Sequence, residues 1–234
     1  MSSPSAITLR PPQPLDLRAK IPGSKSLTNR VLLLAAIAHG TSEIVGSLDA
    51  DDTRLMLAAL RELGVAIAGE LDTRLAITGG FAPTRDPVAI DVGTAGTVAR
   101  FLLAVLAGSP GRYELDGSAR MRERPMDTLV AALRERGGLI ESRGRPDALP
   151  LAITGSRLHG GEIRLARPAS SQFVSGLVFA ALLADAPTRI VLEQGTPARP
   201  YVDMTLATIA AFGGHAAWRS DDVLEVIPTT LVAR

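Results

Sequence analysis

The chain has 234 residues, room for one large domain or two small ones, and can bury about 70% of its unfolded surface without a disulfide or metal staple. With no cysteine and three histidines, it excludes disulfides, thiolate metal sites, iron–sulfur clusters and a thiol nucleophile, and no dense His/carboxylate cluster offers a metal site. Lys plus Arg (25) against Asp plus Glu (24) leaves +1, without the basic excess of a nucleic-acid footprint, and with only 3% aromatics the core falls to Ala, Leu, Val and Ile.

Met1-Ser2-Ser3-Pro4-Ser5-Ala6-Ile7-Thr8-Leu9-Arg10 has neither the basic start nor the apolar run of a secretory signal. The longest apolar runs, residues 31–38 and 101–107, fall far short of a membrane span, so a cytoplasmic protein without membrane or nucleic-acid partners is expected. Gly23-Ser24-Lys25-Ser26 is a small-residue turn that opens an apolar helix at about 26–38. Asp49, Asp51 and Asp52 precede a more mixed helix at about 52–63, where they suit capping and dipole compensation better than acid–base chemistry. A hairpin of 65–68 with 75–78 follows.

The same order then returns. Gly93-Thr94-Ala95-Gly96-Thr97 opens an apolar helix at about 97–107, and the mixed helix at 125–136 leads into a hairpin of 139–142 with 151–154. Arg120, Arg122 and Arg124 stand just ahead of Pro125. If Pro125 opens the helix, Arg124 lies at its N-terminus, where the dipole disfavours a cation unless an anion shares the site. In the third round, Ala169-Ser170-Ser171-Gln172 opens a helix at about 172–183, Arg199-Pro200-Tyr201 opens one at 201–212, and 216–219 pairs with 223–227. His39 and His215 sit beside glycines at expected helix ends and His159 in a loop; none is assigned catalysis.

The recurrence is literal in places. Leu75-Ala76-Ile77-Thr78-Gly79 is repeated as Leu151-Ala152-Ile153-Thr154-Gly155 and loosely as Leu224-Glu225-Val226-Ile227-Pro228. Each unit reads strand, turn, apolar helix, strand, mixed helix, two closing strands. Helices apolar on most faces are buried, so three of them form a helical core with sheets outside. The expectation is an α/β domain with pseudo-threefold symmetry over residues 21–234, with repeats at about 21–85, 86–157 and 158–230.

Under that symmetry the three turns cluster at one end, where helix N-termini favour phosphate or carboxylate. Lys25 adds a point cation, Arg30 a guanidinium, Ser26, Ser170 and Ser171 hydroxyls and Gln172 an amide, while Gly96 lets a ligand reach the backbone. Singly, each of these has an ordinary explanation as a cap, a tight turn or a surface arginine.

Pro22-Gly23-Ser24-Lys25-Ser26-Leu27-Thr28-Asn29-Arg30 resembles the first signature of the 5-enolpyruvylshikimate-3-phosphate (EPSP) synthase family of the shikimate pathway. The resemblance continues through residues 93–100, Arg120 to Pro125, Ser170-Ser171-Gln172 and Pro200-Tyr201-Val202-Asp203, in family order and spacing. It implies an inside-out α/β barrel of three βαβαββ units. The implied reaction joins phosphoenolpyruvate to shikimate 3-phosphate with release of phosphate, using neither metal nor organic cofactor. Ser26, Arg30, Ser170, Ser171, Gln172 and Tyr201 would hold shikimate 3-phosphate: the two serines its phosphate, Arg30 its carboxylate, Tyr201 its ring. Lys25, Gly96 and Arg124 would face phosphoenolpyruvate, or glyphosate, with Lys25 and Arg124 as the catalytic cations.

Ala198 stands where many members have serine, Thr94 replaces a common Asn and Phe101 a common Pro. The family also needs a second, C-terminal domain, to which residues 1–20, with strands at 6–10 and 15–20, would belong. A monomeric substrate-binding half, inactive alone, is therefore expected. The related UDP-N-acetylglucosamine enolpyruvyl transferases typically carry a reactive cysteine, and Asn after the lysine; zero Cys and Ser26 favour the shikimate enzyme. A non-catalytic anion-binding or complementation module is the other reading.

Overall fold

The computed structural model describes residues 18–19, 21–82 and 86–234. The expected strands at 6–10 and 15–20 lie outside these residues, except for Arg18 and Ala19, which are irregular; residue 85, the expected end of the first repeat, also lies outside.

All six expected helices form. The apolar three are α1 (Lys25–Ile37), α3 (Gly96–Ala107) and α6 (Ser171–Leu182); the mixed three are α2 (Asp51–Glu62), α5 (Asp127–Glu135) and α7 (Arg199–Ala211). Ser24 and Ser170 act as N-caps, their hydroxyls accepting the N–H groups of Leu27 and Gln172. The start of α5 departs from expectation. Pro125 does not open it; Met126 is its N-cap, and a one-turn helix α4 (Ala119–Arg122), capped by the Ser118 hydroxyl, precedes it. Arg120, Arg122 and Arg124 thus fall in a helix and the turn after it.

The strands form three sheets. β1 (Thr41–Val45), β2 (Ala66–Gly69) and β3 (Arg74–Thr78) pair antiparallel in the order β1-β3-β2. β4 (Val88–Asp91), β5 (Gly111–Asp116), β6 (Leu139–Ser142) and β7 (Leu151–Gly155) run β4-β5-β7-β6. β8 (Gly161–Leu165), β9 (Thr188–Leu192), β10 (His215–Ser220) and β11 (Val223–Ile227) run β8-β9-β11-β10. The two four-stranded sheets share one topology, each with a parallel pair at one edge, β4 with β5 and β8 with β9. The expected hairpins are the β2–β3, β6–β7 and β10–β11 pairs. His215, expected at a helix end, instead begins β10 opposite Ile227, because Gly213 and Gly214 already turn the chain after α7.

The last described residues return to the first sheet. His39 donates its N–H to the Leu231 carbonyl (2.8 Å), Ala233 donates to His39 (2.9 Å), and Glu43 donates to Arg234 (2.6 Å), placing the tail beside β1.

The core is helical. Every residue of α3 except Thr97, and every residue of α6 except Gln172, is buried. Each fully buried Leu or Phe contributes roughly 1.5–3 kcal/mol relative to an exposed one. Phe101 and Phe179 meet edge to face at 4.9 Å, tying α3 to α6. Strands alternate instead, as in the pattern of β1, where Ser42 and Ile44 are buried and their neighbours exposed.

The repeated Leu-Ala-Ile-Thr-Gly motif ends in glycine for a steric reason. A Cβ on Gly79 would lie 1.8 Å from the Ala38 carbonyl oxygen, and one on Gly155 would lie 1.8 Å from that of Ser109. The strands pass directly under the ends of α1 and α3, and the next residue caps them: Gly80 donates to Ala36 (2.8 Å) and Ser156 to Ala107 (3.1 Å). Gly155→Ala should therefore destabilise the domain by about 3 kcal/mol, read as a lowered urea midpoint. An unchanged midpoint would contradict so close an approach.

Candidate functional site

The first turns of α1, α3 and α6 converge on a cleft of about 430 Å³, bordered by Lys25, Asp52, Gly96, Arg120, Arg124 and Gln172. Four of the residues singled out in the sequence therefore share one cleft: Lys25, Gly96, Arg124 and Gln172. Ser26, Arg30, Ser170, Ser171 and Tyr201 do not line it. Three of those are nevertheless linked, since Arg30 donates to the carbonyls of both Ser26 (2.8 Å) and Tyr201 (2.9 Å).

Lys25, half exposed at the start of α1, lies 3.4 Å from Asp52. The three acidic residues thus divide their roles. Asp49 holds Arg54 through both carboxylate oxygens (2.6 and 2.8 Å), and that guanidinium keeps its carboxyl below the usual range. Asp51 serves the first turn of α2, while Asp52 reaches the cleft. Two of the three neighbouring arginines also separate: Arg122 turns away to Asp116 (2.9 and 2.5 Å), whereas Arg124 leans over the cleft, donating to the Thr94 carbonyl at 3.3 Å.

Two cations lie close over the backbone at Gly96. A Cβ there would meet Nη1 of Arg100 at 2.6 Å and Nη1 of Arg124 at 2.7 Å. Arg100 is a residue that the sequence reading did not assign to the site. It is 5% exposed, donates to Gly96 O (3.0 Å), Gln172 Oε1 (2.9 Å) and Pro125 O (2.8 Å), and stacks 4.8 Å over Phe173. Gln172 Nε2 in turn donates to Thr97 (3.0 Å), so the amide is held at both ends. A signal was available: Arg100 is the one charged residue of α3.

Arg30 is 2% exposed and deeply engaged. Its Nε donates to the Thr205 hydroxyl (2.7 Å) and its Nη2 to Ser175 (3.3 Å) and Tyr201 O, with the guanidinium 5.0 Å over Phe101. With Ser26 O taking one Nη1 hydrogen, a single Nη1 hydrogen is left for a ligand. Burial lowers the pKa of Arg30 to about 10; burial and then the nearby Arg124 charge lower Arg100 to about 10. Both remain cations at neutral pH.

Ser170 spends its hydroxyl oxygen on the Gln172 N–H (3.2 Å), Ser171 is buried, and Tyr201 is 45% exposed in the first turn of α7. Ala198, the N-cap of α7, adopts φ 53° and ψ 49°, a left-handed conformation that costs a non-glycine residue about 1–2 kcal/mol. Among the described residues no cluster of three or more His, Asp or Glu could hold a metal, and no helix is long and apolar enough to cross a membrane.

The family model described as EPSP synthase (3-phosphoshikimate 1-carboxyvinyltransferase) matches residues 9–230. The chain is 42% identical over 211 residues to a 3-phosphoshikimate 1-carboxyvinyltransferase of Pseudoalteromonas translucida, covering 88% of this chain and 49% of that protein. It is 44% identical over 200 residues to the one of Thiobacillus denitrificans, covering 85% and 46%. An EPSP synthase structure from Acinetobacter baumannii superposes with a TM-score of 0.81 at 29% identity, covering 92% of this chain and 48% of that one. The chain thus spans about half the length of the curated relatives it matches. With the ordered motifs, the shared fold and a family match across nearly its whole length, the chain belongs to the EPSP synthase family.

Proposed function

We propose that residues 21–234 form the shikimate 3-phosphate-binding domain of a cytoplasmic, monomeric 3-phosphoshikimate 1-carboxyvinyltransferase, and that enolpyruvyl transfer requires a second domain of similar size. In this reading the domain is an inside-out α/β barrel of three βαβαββ units with pseudo-threefold symmetry. The shared topology of the two four-stranded sheets, the burial of α1, α3 and α6 and the literal Leu-Ala-Ile-Thr-Gly repeat support it.

The observation that carries the functional reading is the meeting of Lys25, Gly96, Arg124 and Gln172 at one cleft where three helix N-termini converge. Backbone N–H groups, the helix dipoles and fixed cations together suit a multiply charged substrate. Lys25 and Arg124 would neutralise phosphoenolpyruvate as the 5-hydroxyl of shikimate 3-phosphate adds to it. They would then stabilise the phosphate that leaves the tetrahedral intermediate, cations aimed where negative charge develops. Ser26, Ser170, Ser171, Gln172 and Arg30 would hold shikimate 3-phosphate, with Tyr201 against its ring. The loss of a serine hydroxyl at Ala198 leaves its phosphate with Ser170 and Ser171.

Calorimetric titration of the 234-residue chain with shikimate 3-phosphate should saturate, while the chain alone should release no phosphate from phosphoenolpyruvate. Absence of saturable binding would overturn the site, and turnover by the chain alone would overturn the need for a second domain. Gly96→Ala should push the Arg124 guanidinium out of place and weaken phosphoenolpyruvate binding, measured with shikimate 3-phosphate present, by about tenfold. Affinity for shikimate 3-phosphate itself should stay within about twofold, and a reversed pattern would reassign Gly96. Arg30 and Arg100 titrate near pH 10, above any physiological pH, so they stay charged as pH falls. Affinity should accordingly be flat from about pH 7 to 9 and fall only below about pH 6, where the ligand phosphate takes a proton. A steep loss between pH 7 and 9 would implicate another group.

A further inference from the structure

Arg199-Pro200-Tyr201 mirrors the Arg124-Pro125 step in sequence, and a second anion-facing arginine would be its natural counterpart. The side chain goes elsewhere. Arg199 lies 4.0 Å over the ring of Trp218 and donates to the Asp221 carbonyl at 3.0 Å, both in the β10–β11 hairpin. Trp218 donates its indole N–H to Asp203 Oδ1 at 2.7 Å. Arg199 and Asp203 stand four residues apart on one face of α7, so a single indole grips that helix across its first turn.

This turn needs holding. Ala198 is the one N-cap with positive φ among the described helices, and it has no side-chain oxygen to accept a helix N–H. A left-handed alanine persists only where its surroundings over-determine it. From the core side, Arg30 and Thr205 bond the Tyr201 carbonyl at 2.9 and 3.0 Å. From the sheet side, the indole contacts fix residues 199 and 203. Tyr201 lies between the two anchors with its side chain 45% exposed.

We propose that Arg199, Trp218 and Asp203 are positioning residues: a clamp that takes over from a side-chain N-cap at α7 and sets where Tyr201 meets the ligand. The functional half of this proposal rests on Tyr201 packing against the shikimate 3-phosphate ring, as proposed above. The clamp replaces the ligand role that its sequence pattern suggests for Arg199.

The test compares the wild-type chain with Arg199→Ala, Trp218→Leu and the conservative Arg199→Lys by hydrogen exchange and by titration with shikimate 3-phosphate and orthophosphate. In the Ala and Leu variants the amides of Asp203, Met204 and Thr205 should exchange at least about tenfold faster, with α3 unchanged. Affinity for shikimate 3-phosphate should fall about tenfold while that for orthophosphate, which needs no ring contact, holds; Arg199→Lys should recover most of both effects. Unchanged exchange in the first turn of α7 overturns the clamp. Equal loss of both ligands overturns the positioning role, because general destabilisation would produce it. If the wild-type chain binds neither ligand, the proposed function fails with the ligand half of this inference, and exchange alone decides whether the clamp holds the turn.

Discussion

Two guanidinium groups are buried among apolar helices, and none of the hydrogen bonds described for them goes to a carboxylate. Arg30 donates to two hydroxyls and two carbonyls, Arg100 to two backbone carbonyls and an amide oxygen while its buried Nε has no partner, and each lies over a phenylalanine ring. Taking an ion out of water costs roughly several kcal/mol even after relaxation, and neutral acceptors offset that without cancelling the charge. The positive potential therefore survives at the end of the domain where α1, α3 and α6 begin. Lys25 and Arg124 extend it toward solvent, so the concentration of positive charge belongs to the helical core, and the net charge of +1 does not register it.

The same two side chains stitch the helices together. Arg30 reaches from α1 to α6 and α7, through Ser175, Thr205 and Tyr201. Arg100 reaches from α3 to Gln172 on α6 and to Pro125 ahead of α5. The geometry of the cleft is thus fixed by the bonds that make buried charge tolerable, and Gln172 owes its orientation to Arg100 and Thr97 together. Site and scaffold are not separable here, since the groups that would bind an anion are anchored by groups that also hold the core.

Much of this was legible in the sequence because it is local. Apolar runs, glycine stops and the repeated Leu-Ala-Ile-Thr-Gly segment gave helix positions to within two residues, and all three hairpins. The carbonyl contacts at Gly79 and Gly155 show why that motif could not drift. What the sequence does not show are directions that only tertiary packing sets. Arg124 and Arg199 each precede a proline, yet one leans over the cleft and the other stacks on an indole from the next strand, β10. Asp52 reads as a helix-dipole residue and is one, but its proximity to Lys25 depends on how α2 lies against α1. The assignment of ligand roles came from family resemblance, since helix periodicity places a serine at an N-terminus without saying what else it binds.

The return of residues 231–234 to the flank of β1 also has a temporal side. Arg234 donates its N–H to the Ser42 hydroxyl across 192 positions, and Glu43 donates to the Arg234 carbonyl. Ribosomal synthesis at roughly 5–20 residues per second separates those partners by about ten to forty seconds. For that interval the emerging chain must carry β1 without this neighbour. Such distant pairing raises contact order and slows folding. It also makes the β1 edge a natural client for chaperones until residues 231–234 arrive.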